Sequence, residues 1–174
     1  MLKKQLIFTL IGLCTVILLF IFGRTVAPKS KDVVPAASAA KVFDINQFIA
    51  DQKKNLTPSQ SVLLGKLENS VTRGDVSSQL ISANTTLANF WKDSIHSAEP
   101  YFYYLSEAAK LDKSEKSLTF AAQLILDNLR GETDQAKLNW KTEEAIALFE
   151  KGIELYPDND DLKIGLGSCY VFGK

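Results

Sequence analysis

From Lys41 onward the apolar residues recur every three or four positions, the period of helices that bury one face. No stretch alternates with the period of two that marks a strand, so the expected class is all-α. Asp44 can cap a short helix reaching Lys54, with Ile45, Phe48 and Ile49 on its apolar face. Thr57 caps the next helix, with Pro58 at its first position, and Val62, Leu63, Leu67 and Val71 carry it to Gly74. Asp75 caps a long helix bearing Leu80, Leu87, Phe90 and Trp91 that ends near Ser97. Pro100 opens the helix that contains Tyr101 to Leu105, and Asp112 to Ser114 turn the chain before Leu118 to Leu129. A helix that has Glu143-Glu144 in its first turn then runs to Tyr156, where Pro157 stops it. Asp158 or Asp160 caps the last helix, whose stripe is Leu166-Gly167-x-x-Tyr170, with Gly167 placed where two helices approach closely.

The N-terminus follows another pattern. Leu6 to Gly23 is an 18-residue stretch without a charge, holding 13 Leu, Ile, Phe or Val residues. At about −0.3 to −0.6 kcal/mol for each of these, the stretch favours a bilayer by roughly 4 to 8 kcal/mol. Residues 1–23 therefore read as an uncleaved transmembrane anchor, longer than a signal-peptide core and followed by Pro28 just after Ala27. Residues 24–42 are rich in Pro, Ala and Ser and read as a flexible linker spanning roughly 20 to 25 Å. Residues 43–174 form the helical domain. Lys3 and Lys4 on one flank nearly balance Arg24, Lys29 and Lys31 on the other, and a short N-terminal tail commonly stays inside. The expected location is the cytoplasmic membrane of a bacterium with the domain in the periplasm, a cytoplasm-facing domain being the alternative.

Ala145-x3-Phe149 with Pro157, followed by Leu166-Gly167-x-x-Tyr170, resembles the tetratricopeptide repeat (TPR), whose pattern is W-x2-L-G-x2-Y, then A-x3-F, then P over about 34 residues. The step from Ala145 to Leu166 has the length the family requires, while Lys163 takes the place of its Trp and Gly152 that of a second Ala. Tyr101, Leu105 and Ala108, followed by Ala122-Gln123 and Leu126, repeat the pattern more faintly, with about ten extra residues between Leu129 and Ala145. The resemblance implies a right-handed solenoid of helical hairpins whose first helices line a groove. Mapped onto that register, Phe90, Asp93, Phe120, Leu124, Asp127, Asn128, Ile164 and Ser168 would face a protein or peptide partner, while Ala145, Phe149, Pro157, Leu166, Gly167 and Tyr170 would be structural. Because the pattern stops after a first helix, further repeats are expected beyond Lys174 in a longer parent chain.

Chemistry narrows the picture further. From Lys41 onward there are 15 Lys or Arg against 19 Asp or Glu, a net charge of −4, which disfavours nucleic acid as a partner. His96 is the single histidine, no nucleophile elbow surrounds a serine or cysteine, and Cys14 and Cys169 have no ligand-like neighbours. No catalysis, cofactor or metal is expected, and Arg73-Gly74-Asp75 reads as a turn rather than an adhesion motif. The expected function is a membrane-tethered scaffold for protein–protein interaction in the cell envelope. Its alternatives are an assembly or maturation factor holding a client, as in cytochrome c biogenesis or cell division, and the non-catalytic N-terminal part of a larger enzyme.

The tether has a direct check. Alkaline carbonate washing of membranes should leave the full chain in the pellet, and deletion of residues 1–23 should release it to the supernatant. A full chain released by the wash removes the anchor.

Overall fold

Seven α-helices follow one another in the computed structural model, which describes residues 42–73 and 76–173. They are α1 (Ile45–Lys53), α2 (Pro58–Arg73), α3 (Ser77–Asn89), α4 (Ala98–Asp112), α5 (Glu115–Leu129), α6 (Gln135–Leu155) and α7 (Asp160–Phe172). A π-helical segment, Phe90–Ile95, prolongs α3. There is no strand among the described residues. The expected anchor, most of the linker and the Gly74-Asp75 turn lie outside them, and no described helix is long and apolar enough to cross a membrane.

Local chemistry sets most of the boundaries. Asp44 caps α1 by accepting the N–H groups of Asn46 and Gln47. Thr57 and Gln60 form a reciprocal capping box: the Thr57 hydroxyl accepts the Gln60 N–H while the Gln60 side chain accepts the Thr57 N–H. Ser114 caps α5 and Asp134 caps α6 in the same manner. The last cap falls between the two expected aspartates: Asn159 accepts the Leu162 N–H, and Asp160 and Asp161 occupy the first turn of α7, where their charge suits the helix dipole. Val76, without a side-chain bond, stands at the start of α3 instead of Asp75. Pro100 is the third residue of α4, two positions later than an opening residue.

From α2 onward each helix packs on its sequence neighbours, α5 also touches α7 and α4 touches α6, while α1 packs on α4. The main core joins α4 to α7 through Phe102, Leu118, Ile125, Leu148, Phe149 and Leu162. A second core joins α1, α2, α3 and the π segment through Ile45, Ile49, Leu64, Leu87, Phe90 and Trp91. Tyr101 and Trp140 pack against both, making the two cores continuous. On α2 the buried residue is Leu64, while Val62 and Leu63, expected inside, are 61% and 46% exposed. One helical residue turns the chain by about 100°, and Leu64 shares the inward side with the partly buried Leu67 and Val71.

The same one-residue rotation corrects α7. Leu162, Gly165 and Cys169 face the core, Leu166 is half-buried, and Tyr170 is 52% exposed. Gly165 is the close-approach glycine: a Cβ placed there would lie 2.3 Å from the Phe149 ring, whereas one on Gly167 would meet nothing within 4 Å. Ala145 and Phe149 are fully buried as expected, and α6 ends at Leu155, two residues before Pro157. The ten extra residues feed the long N-terminal half of α6, which has 21 residues where α4 has 15.

The two glycines give a paired test. Gly165→Ala should destabilise the chain by about 1 to 3 kcal/mol, because the Phe149 ring has to move. Gly167→Ala should stabilise it by roughly 0.5 to 1 kcal/mol through helix propensity. Urea denaturation of both variants checks the pair, and the reverse order would put Gly167 back at the contact.

Candidate functional site

Between α5 and α7 runs a cleft of about 290 Å³, lined by Thr119, Gln123, Leu126, Asp127 and Arg130 on one side and Asp161, Ile164, Gly165 and Ser168 on the other. The two helices run parallel. Asn159, at the start of α7, donates to Glu115, at the start of α5, over 2.7 Å, and the Arg130 guanidinium at the end of α5 lies 4.3 Å from the Phe172 ring centroid at the end of α7. Leu126 and Gly165 give the cleft an apolar floor, and Ile164, 66% exposed, stands at its edge. The polar groups are sparsely satisfied. Asp127 accepts a hydrogen bond from Gln123 (2.8 Å), Ser168 donates to the Ile164 carbonyl (2.9 Å), and the buried Thr119 hydroxyl has no partner.

The eight groove residues expected from the sequence separate into groups. Asp127, Ile164 and Ser168 line the cleft. Phe120, 55% exposed, and Leu124, half-buried against the main core, lie on α5 beside it. Asn128 is committed elsewhere, accepting a hydrogen bond from Lys141 over 2.9 Å. Phe90 is buried in the second core and faces no groove, and Asp93 lies in the π segment with the exposed Lys92 ammonium 3.5 Å away.

Sequence reasoning missed the charged cluster beneath α6. Lys141 is 2% exposed, and its ammonium donates to Glu132 (2.6 Å) and Asn128 (2.9 Å) and lies 3.5 Å from Glu99. Lys137 donates to the same Glu99 over 3.0 Å. Burial raises the Glu132 carboxyl pKa, but the Lys141 bond and the N–H groups of Asp134 and Thr133 outweigh it and hold the group below its ordinary value. Glu143-Glu144 proves to be mid-helix, and Glu144 pairs with Lys110 on α4 over 3.0 Å. Burial depresses the Lys110 ammonium while Glu144 and Glu107 raise it, and the attraction wins.

Other candidate groups have structural places. His96 is exposed at the end of the π segment in a left-handed conformation, its Nδ1 3.0 Å from the Lys92 carbonyl. Cys169 is buried in the main core, which pushes its thiol up to about 11. Cys14 lies outside the described residues. No cluster of His, Cys, Asp and Glu suited to a metal ion occurs among the described residues. No protein-family model, no curated protein and no solved structure matches this chain.

The buried cluster carries a prediction with a defined sign. Lys141→Ala leaves Glu132 without its cation and Glu99 with Lys137 alone, and should cost about 3 to 5 kcal/mol in chemical denaturation. In the parent chain the Glu132 contribution is complete above the ordinary carboxyl pKa and is lost as pH falls through its lowered folded value. Stability of the Glu132→Gln variant should accordingly fall less on acidification than that of the parent.

Proposed function

We propose that this chain is a membrane-tethered, TPR-like helical-hairpin solenoid that holds a protein or peptide partner in the α5/α7 cleft and catalyses no reaction. The observation carrying this reading is the pair of parallel helices, α5 and α7, with α6 packed against both and a cleft open between them. That is the relation of successive first helices in a repeat array. The spacing supports it. Tyr156 donates to the Lys113 carbonyl across 43 residues and Asn159 to Glu115 across 44, so the turn before α7 stacks on the turn before α5. About 34 residues of a repeat plus the ten that lengthen α6 give this interval.

The tether belongs to the same proposal. Anchored by residues 1–23 in the cytoplasmic membrane, the domain would work in a thin periplasmic layer where effective concentration is high, so a shallow cleft of modest affinity suffices. A client or an extracytoplasmic protein bound there would be held at the bilayer surface.

Site-specific photocrosslinking in intact cells tests this. A benzophenone side chain replacing Ile164 or Ser168 should give adducts of discrete mass in the membrane fraction, and the same group at Glu150, exposed on α6, should give none. Equal adduct patterns from the three positions would sink the cleft as a docking site.

A further inference from the structure

We infer that the occupant of the α5/α7 cleft is an extended segment with two basic residues four positions apart and an apolar residue midway between them. The inference rests on the docking reading above and adds the partner's chemistry. The cleft holds two carboxylates, Asp127 and Asp161, neither paired with a cation among the described residues. Its one cation, Arg130, stacks on Phe172 beyond the Asp127 end. Asp161 lies in the first turn of α7, level with the first turn of α5 because Asn159 touches Glu115. Asp127 lies eight to ten residues along α5 from that level, which at 1.5 Å per residue sets the two carboxylates about 12 to 15 Å apart along the cleft.

An extended chain advances about 3.3 Å per residue and turns alternate side chains to one face, so residues i, i+2 and i+4 point together and cover about 13 Å. Basic side chains at i and i+4 meet Asp161 and Asp127. The side chain at i+2 falls between them, over Leu126, Gly165 and Ile164. Thr119, whose hydroxyl is buried and unpartnered, stands in the wall beside such a segment. A helical occupant fits less well. It would need its basic residues about eight positions apart to span the same distance, and its backbone polar groups are already bonded.

The test uses the full chain in nanodiscs and the capped, labelled peptide Ser-Lys-Ser-Leu-Ser-Lys-Ser, read by fluorescence anisotropy. It should bind at least about tenfold more tightly than its Lys-to-Glu counterpart. Asp127→Asn and Asp161→Asn should each weaken it about threefold, the scale of one part-exposed ion pair. Both substitutions together should abolish the preference, with unchanged circular dichroism because both carboxylates are exposed. Replacing the central Leu by Ser should also lower affinity, and added salt should erode the difference between the Lys and Glu peptides. Equal binding of those two peptides, a preference that survives the double substitution, or no binding of either overturns the basic motif. The crosslinks from Ile164 and Ser168 judge the docking reading independently. A self-associated chain that Ile164→Ser converts to monomer would identify a second copy as the occupant and overturn this proposal.

Discussion

One ammonium group holds three helices and a loop in register. Lys141 is almost wholly out of water and meets Glu132 from the α5–α6 loop, Asn128 from the last turn of α5 and Glu99 from the first turn of α4. Removing a charge from water is expensive, and only a full set of partners makes the position tolerable. Any slide of α6 along α5 would separate the ammonium from those partners. The cluster thus fixes the level at which Ala145, Leu148 and Phe149 enter the core, and through Phe149 the level of Gly165 on α7. The width of the α5/α7 cleft descends from that chain of contacts.

Much of the fold was legible because the rules that set helix ends are local. Asp44, Thr57 and Pro157 act on backbone groups within a few residues, so their sequence neighbourhood contains the whole argument. Which face of a helix is buried is set by distant residues and was read less well. Along α7, Leu162, Ile164, Leu166 and Val171 surround the helix with apolar groups, and an apolar stripe could be drawn in more than one phase. The tie was broken by Phe149, whose ring needs the missing side chain of Gly165. Val62-Leu63-Leu64 posed the same choice on α2, and Leu64 alone points inward.

The site was legible only in part for a related reason. Asp127, Ile164 and Ser168, expected from counting along a pattern that resembles a repeat, lined the cleft between α5 and α7. Phe90 did not, because the chain widens into a π segment there and the count loses its phase. Lys141 gave no sequence signal at all: a lysine in a lengthened, polar-looking helix start reads as solvent-facing until Glu99, 42 residues earlier, is known to lie beside it.

The widened turn at Phe90–Ile95 has a consequence for how this chain tolerates length change. A π turn accommodates about one residue more than an α turn, so a single deletion within the segment could be absorbed by tightening it into ordinary helix, with the flanking α3 and α4 left intact. The surplus residue lies in a run that includes the buried Trp91, at the junction between the second core and α4. Shortening there would rotate α1 to α3 as a block against α4 to α7. The helices would survive and the seam formed by Tyr101 and Trp140 would have to be rebuilt.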